Sequence, residues 1–515
     1  MSEADTSARA IEDSALAAYL ETDYVGAADS YERAFSSYRA EGDVAGAVRC
    51  ARMLAWIHGN VLGDWALQNG WVGRACSLLE GAEEGTPERG WLELLLAEGE
   101  TDPASRQERL RRALEIGRSS GDANIEFEAL GWLGLTDVFA GRLKGLTLLD
   151  EALTAVSAGE VDDLGVIEGS FCGMLWGCEI AQDVPRAEQW MRAAEEIRRR
   201  HNLTAMASFC RSHYGSILTS AGRWPEAETE LLEAVRMLQG DSRMKVNALV
   251  RLADLRVRQG RFEEAAQLLE GLDTHSDALR PLAALHLARG NVELARDRVD
   301  RALGAPIEES SDAPLLSLLV DIALESGDVG DATRAAERLA VLAREQGGHY
   351  VRALAALARG RVCIASGDEG ARRCLDEALI EFAQAQTPLE LGRTRLELAR
   401  ALSADRSEVA VAEAKSALEA FEKLEAARHA DAAAALLRTL GAPIRTGPKG
   451  LGALTKREAQ VLELLGHGLS NPEIADRLYI SRKTVEHHVG NVLSKLGLRG
   501  RAEAAAFAAR AKTGS

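Results

Sequence analysis

One pattern returns seven times between Gly141 and Phe382, and a chain that repeats at a nearly fixed interval is confined to folds in which each unit packs on its neighbours. The segments are GRLKGLTLLDEAL (from Gly141), DVPRAEQWMRAAEEI (Asp183), GRWPEAETELLEAVRML (Gly222), GRFEEAAQLLEGL (Gly260), GNVELARDRVDRAL (Gly290), GDVGDATRAAERLAVLA (Gly327) and GDEGARRCLDEALIEF (Gly367). Their starts lie 42, 39, 38, 30, 37 and 40 residues apart. Each reads as a tight turn at Gly or Asp, then a helix with a small residue in its first turn and Leu or Ala at i, i+3, i+4 and i+7. A second Ala/Leu-rich helix precedes each one. Earlier segments, DYVGAADSYERAFSSY from Asp23 and GDVAGAVRCARMLAWI from Gly42, fit the pattern more loosely.

Composition agrees with an all-α chain. Hydrophobic residues make up 46% of it but aromatics only 5%, so the apolar content is mostly Ala and Leu, which are strong helix formers. At 515 residues, against roughly 100 to 200 for one domain, at least two folding units are expected. No uncharged run exceeds eleven residues, short of the ~20 apolar residues of a membrane-spanning helix. The acidic start MSEADTSARAIEDSA lacks a signal peptide's basic and apolar regions, so a cytoplasmic protein with no membrane partner is expected. Seven cysteines, scattered and never in a CxxC pair, suit reduced, buried thiols.

The repeats resemble degenerate tetratricopeptide repeats, over about residues 10 to 440, with periods longer than the ideal ~34 residues. The resemblance implies an α-solenoid of helix pairs at 1–440, whose small residues let paired helices approach closely. It also implies a protein or small-molecule effector bound on the concave face. All eight Trp lie between Trp56 and Trp224, which places any effector site with rigid aromatic walls in the first half. Trp at repeat positions is also ordinary core packing.

The charge is divided. Residues 451–515 hold ten Lys/Arg and six Asp/Glu, a net +4, so residues 1–450 carry −22 of the total −18. A basic end on an acidic body fits a nucleic-acid-binding module attached to something that phosphate repels. Between them GAPIRTGPKGLGA, with Pro443 and Pro448 among four glycines, reads as a linker over 441–453. The end, 454–515, reads as four helices. Thr455 and Glu458 make a capping box for a first helix ending near Gly466. Asn471 caps a short helix with Pro472 at its first position. Tyr479 and Ile480 make a turn, and Ser481 caps a longer helix closed by Gly497. A last helix follows Gly500. On the third helix Val485, Val489, Val492 and Leu496 form one apolar stripe. The opposite face holds Lys483, His487, Gly490, Asn491 and Ser494, with Glu486 on its flank and Arg482 near the start, the form of a recognition helix.

This module resembles the LuxR/FixJ-type helix-turn-helix domain of bacterial transcription regulators. The carrying residues are Leu454-Thr455, Arg457-Glu458, Gly468 to Asn471, Glu473 to Ala475, Ile480-Ser481, Thr484-Val485, His488-Val489 and Lys495 to Gly497. The resemblance implies an operator duplex read by Glu486, His487 and Gly490, with Arg482, Thr484 and Asn491 on the same face. It implies phosphate contacts from Lys483, Lys495, Arg499 and Arg501. It further implies a homodimer formed along the last helix, through Ala502, Ala505, Ala506 and Ala509, and contact with RNA polymerase. Many relatives carry Lys where Glu486 stands and a larger polar residue where Gly490 stands. A carboxylate there accepts from cytosine N4, or it pairs with Arg482 one turn earlier.

The remaining constellations are weaker. No Gly-Lys pair occurs, so a phosphate-cradling GxxxxGK[ST] loop is absent, and no β-rich alternation suggests a receiver domain. Cys172, Cys178, Cys210 and His213 have side chains suited to Zn²⁺ or copper, but a six-residue spacing puts Cys172 and Cys178 on different helix faces. Buried small residues are the expected reading, with no metal and no cofactor. No Ser/His/Asp or paired-carboxylate arrangement stands out, and a non-enzymatic role is expected. The leading function is sequence-specific transcription regulation. The alternative is a helical interaction scaffold whose end serves chiefly as a protein contact, with vestigial DNA binding, or binds DNA without sequence preference.

Overall fold

The computed structural model describes residues 7–81, 83–100, 102–200, 208–238, 243–304, 312–404, 407–442, 454, 456–478, 480, 482–498 and 500–513. Those residues are helical and contain no β-strand. The chain divides into two compact units, 1–436 and 437–515. That division falls inside the helix Ala427–Thr439, shortly before Gly441 turns the backbone into the left-handed region at φ 69°.

In the first unit the glycines that open the repeats do one job. Gly141, Gly222, Gly260, Gly290, Gly327 and Gly367 all have φ between 72° and 79°, where a side chain would be strained. At Gly222 the two bonds that end the helix are made, Gly222 N–H to the Thr219 carbonyl (3.2 Å) and Arg223 N–H to the Leu218 carbonyl (2.9 Å). The next helix starts two residues later. In the unit that begins at Asp183, Gln182 takes the left-handed position instead, at φ 52°.

The small residue in the first turn of each second helix is buried: Ala187, Ala227, Ala265, Ala295 and Ala332 are fully so. Facing it on the preceding helix there is often a glycine. A Cβ on Gly134 would lie 2.6 Å from the Gly145 carbonyl oxygen, and one on Gly145 would lie 2.2 Å from the Gly134 oxygen. A Cβ on Gly215 would lie 2.6 Å from the Leu231 side chain and 3.5 Å from the Ala227 carbonyl oxygen, and one on Gly360 would lie 2.7 Å from the Leu375 side chain and 3.6 Å from the Ala371 oxygen. Paired helices therefore cross with backbones in near contact.

The first helices of successive pairs also touch one another. Pro87–Glu98, Ala123–Phe139, Leu164–Ala181, Ser208–Ser220, Arg243–Gln259, Leu279–Ala288, Asp312–Glu325, His349–Ser366 and Pro388–Ala401 each contact the next, forming an inner layer. This is the arrangement of an α-solenoid of tetratricopeptide-like pairs. The winding brings distant repeats together. Leu218, Trp224 and Leu231 share a core with Leu389, Phe421 and Leu424, and Arg258 reaches Glu390 at 2.8 Å. Ala234, Leu238, Met244 and Ala248 join the core of the first helices, with Tyr31 and Leu54.

Among the described residues, the inner layer lines a cavity of about 420 Å³ and another of about 450 Å³, which share Trp56, Glu98, Trp132, Trp176 and Phe209. The tryptophans divide between the two roles the sequence leaves open. Trp56, Trp65, Trp132 and Trp176 line cavities. Trp71 and Trp224 are core, Trp190 donates to Asp150 at 2.7 Å, and the Arg52 guanidinium lies 4.0 Å from the Trp91 ring.

His213 lies in the first cavity's wall, 2% exposed. Its Nδ1 contacts Glu179, which also takes two hydrogen bonds from Arg251 at 2.9 Å. Burial alone would raise the Glu179 carboxyl, but Arg251 and His213 hold it well below the usual carboxylate range. Burial, with Arg251 beside it, pushes His213 down to about 4. Of the thiols weighed with it, Cys172 and Cys210 meet each other, while Cys178 lies against Met174 at 3.6 Å. The four do not converge, and among the described residues no group of three or more His, Cys, Asp or Glu could hold a metal ion.

Two predictions follow from this packing. Gly134→Ala overpacks a backbone crossing and should lower the stability of the first unit by about 1 to 3 kcal/mol. Gly131→Ala, on the same helix with nothing within 4 Å of the added Cβ, should raise it by about 1 kcal/mol. Urea midpoints compare the two directly. The second concerns pH. His213 binds its proton more weakly in the folded protein than at its unfolded value of about 6.5, so its contribution is full above that value. As pH falls from about 6.5 to 4, stability should drop by up to about 1.4 kcal/mol per unit through this group. His213→Gln should flatten that slope, read from melting temperatures across the window.

Candidate nucleic-acid interface

The C-terminal unit is assembled from four short helices whose inward residues form one core. The helices are Lys456–Gly466, Asn471–Leu478, Arg482–Leu496 and Arg501–Thr513. Val461, Leu462 and Leu465 meet Ile474, Val485, Val492, Leu496 and Ala504, all at most 1% exposed. Val489, the fourth member of the stripe, is partly buried against them. The first helix packs on the last so closely that a Cβ on Gly466 would come within 2.7 Å of the Ala508 Cβ. The first helix ends at Gly466, where the sequence places its end, with Gly468 in the left-handed region at φ 80°, and Gly497, at φ 66°, closes the third as expected.

The second helix starts differently from the sequence expectation. It begins at Asn471, and Ser470 precedes it, with the Glu473 carboxylate accepting from both the Ser470 N–H (2.7 Å) and its hydroxyl (2.6 Å). The Glu473 carboxylate reaching back to Ser470 is the glutamate half of a capping box in the order Ser-x-x-Glu, which places the N-cap position at Ser470 rather than Asn471. The signal was present in Ser470-Asn471-Pro472-Glu473. Asn471 instead accepts a bond from Arg501 at 2.7 Å. Thr455, Tyr479 and Ser481, assigned to a cap and the turn, lie outside the described residues.

The third helix turns Val485, Val492 and Leu496 inward, which leaves Arg482, Lys483, Thr484, Glu486, His487 and Gly490 exposed, with Asn491 half-buried beside them. Six of the residues expected to meet DNA are thus on one accessible face at the N-terminal half of the helix. Glu486 accepts from Arg482 at 3.1 Å, with the two side chains 49% and 71% exposed. This is the i, i+4 pairing weighed from the sequence, a surface contact worth a few tenths of a kcal/mol. A Cβ at Gly490 would meet nothing within 4 Å, so that position leaves open space on the face.

Two residues assigned to phosphate contacts have partners within the module. Lys495 Nζ lies 2.8 Å from a carboxylate oxygen of Glu458, which is only 3% exposed. Arg501 donates to Asn471 and to the Leu469 carbonyl, tying the start of the last helix to the start of the second. Arg499 lies outside the described residues. Sequence reasoning also missed Arg457, whose guanidinium donates to the Leu478 carbonyl at 2.6 Å and so fastens the first helix to the end of the second. On the last helix Ala504 and Ala508 face the core, while Ala502 and Ala506 are exposed and Ala505 is half-buried. The side chain of Ala509 lies outside those described.

A short helix ending at Leu478 and a longer helix starting at Arg482 with a polar, basic N-terminal half, braced by a helix on either side, define a helix-turn-helix DNA-binding unit. The family "Bacterial regulatory proteins, luxR family" matches residues 452–508. The transcriptional regulatory protein LnrK of Bacillus subtilis (strain 168) is 51% identical over 63 residues, 12% of this chain and 29% of that one. The spore germination protein GerE of the same organism is 51% identical over 51 residues, 10% of this chain and 69% of GerE. The chain therefore belongs to the luxR family of bacterial regulatory proteins through its C-terminal unit, and it spans less than a third of the length of LnrK. The crystal structure of the APC/C hetero-tetramer Cut9–Hcn1 overlaps 81% of this chain and 95% of that one, at 12% identity and a TM-score of 0.38.

The Lys495–Glu458 pair yields a prediction. Lys495→Met leaves a buried carboxylate without its cation, and should lower the stability of the C-terminal unit by about 1 to 3 kcal/mol. Thermal unfolding followed at that unit should show the loss in the absence of DNA, which removal of a phosphate contact alone would not produce.

Proposed function

We propose that this chain is a sequence-specific transcription regulator of the cytoplasm, in which the repeat unit receives a protein or small-molecule signal and biases a DNA-bound dimer. The observation that carries the reading is the open polar face of the third helix. Glu486, His487 and Gly490 face base edges in the major groove, with Thr484 and Asn491 beside them. Arg482, Lys483, Lys495, Arg499 and Arg501 serve the phosphates. Lys495 and Arg501 do so in competition with the internal partners described above. The strip Ala502, Ala505, Ala506 and Ala509 pairs with its copy across the dimer, and the exposed Ala502 and Ala506 support this. The domains divide at 440, with a linker over 441–453, and a promoter-bound dimer contacts RNA polymerase.

Two half-sites about one helical turn apart supply specificity, and phosphate contacts supply the salt dependence. A titration of promoter and random duplexes over salt concentration tests this. The full chain should show a steep salt slope and a specificity ratio of roughly 10³ or more, and removal of residues 451–515 should abolish both. Equal affinity for random and promoter duplexes would instead indicate a scaffold. Glu486→Lys removes a carboxylate from the phosphates and releases Arg482. Binding to random DNA should strengthen, and one operator position should move from C towards G with about 1 to 3 kcal/mol of discrimination. Selection from a randomised duplex pool reads the change.

A further inference from the structure

The second interior cavity, of about 450 Å³, has the size of a small-molecule site and a lining unlike that of the rest of the interior. Tyr19, Tyr31, Trp56, Trp132, Trp176 and Phe209 give it aromatic walls. Three arginines and seven carboxylates also line it, a net −4. The arginines are already engaged: Arg9 and Arg49 with Glu12, and Arg52 with Glu128. Asp13 also pairs with Arg9, Asp162 accepts from the Asn124 amide and Asp163 from the Val166 N–H, which leaves Glu98 and Glu168, neither of which makes an ion pair or hydrogen bond among the described residues. Glu168 is half-buried and Glu98 exposed, and the protein packed around them pushes both carboxyls up to about 7, in spite of Arg52 near Glu98. Glu128 keeps one oxygen, Oε2, buried without a hydrogen-bond partner. The inner wall has also been cleared: a Cβ on Gly131 or Gly169 would meet nothing within 4 Å.

Carboxyl groups without a counter-ion beside aromatic faces suit an organic cation, whose charge favours their ionised form. The carboxylates neutralise it and the ring faces attract it through their quadrupoles, an effect that grows when water is excluded. An anion would meet unpaired carboxylates, and a neutral apolar molecule would leave them unanswered. We propose that this cavity binds a small organic cation, an aromatic or alkyl amine or quaternary ammonium, held by Glu98 and Glu168 between Trp56, Trp132 and Trp176. The assignment rests on the signal-receiving reading only for the consequence of binding, not for binding itself. A hydrogen-bonding ammonium and a quaternary one share this chemistry and are separated by the choice of probe.

All eight tryptophans lie between Trp56 and Trp224, so the intrinsic fluorescence of the full chain reports on this unit and not on the DNA-binding one. The probes are phenethylammonium, benzyltrimethylammonium and, as the anion of similar shape, phenylacetate. At least one cation should change the emission with a dissociation constant below about 1 mM and bind about tenfold or more tighter than phenylacetate. Binding of both, or of one alone, identifies the headgroup class. The double variant Glu98→Gln, Glu168→Gln should weaken cation binding about tenfold or more and leave phenylacetate no weaker. Gly169→Leu, which fills the cavity from a position where the added Cβ meets nothing, should abolish it without unfolding the chain, as checked by helical circular dichroism. Absence of cation binding, equal binding of phenylacetate, or cation binding untouched by both variants would overturn the site. A bound cation that leaves promoter affinity unchanged would overturn the signal-receiving reading and leave the site standing.

Discussion

The near contact of backbones where paired helices cross is the constraint on which the first unit depends. Gly134 on Gly145, Gly215 on Ala227 and Leu231, and Gly360 on Ala371 and Leu375 bring paired helices so close that even a methyl on the glycine would crowd its neighbour. Leucines such as Leu231 and Leu375 fill the space that the glycines leave at the crossing, and each pair packs on the next. The accumulated rotation curves the inner layer until repeats far apart in sequence meet. Trp224 against Phe421 and Arg258 on Glu390 are products of that curvature.

Curvature also creates the interior. The inner helices bring charged residues to a space that protein surrounds, where a charge must be paired or change its protonation. Glu179, His213 and Arg251 take the first course, while Glu98 and Glu168 have no partner among the described residues and their carboxyls are raised to about 7. The DNA-binding unit solves a smaller problem with similar chemistry. Its four helices are too short to bury much area, so Arg457, Lys495 and Arg501 bind neighbouring segments through carbonyls and a buried carboxylate. Cations in this module therefore serve its cohesion as well as its charge, and a count of Lys and Arg does not measure what is free for phosphate.

Most of the architecture is legible in the residues themselves. The glycine turns, the small residue after each one, and the Ala/Leu periodicity are local signals, and a repeat restates them until chance is excluded. The recognition helix is legible for the same reason: Val485, Val492 and Leu496 mark its inner face, which determines that Lys483, His487 and Gly490 lie outside. The place of Ser470 was legible too, but Asn471-Pro472 offered a competing start and Glu473 was needed to decide between them. Partners across the fold were not legible. Nothing local distinguishes Lys495, which meets Glu458, from a lysine facing solvent, or tells which tryptophans pack and which line a cavity. Helix type, turn position and inward face are set by interactions within a few residues, so the sequence alone determined them. The closure of the winding, the pairing of buried charges and the two unpaired carboxylates among aromatic rings depend on small rotations summed over many helix pairs, and only the tertiary structure decided them.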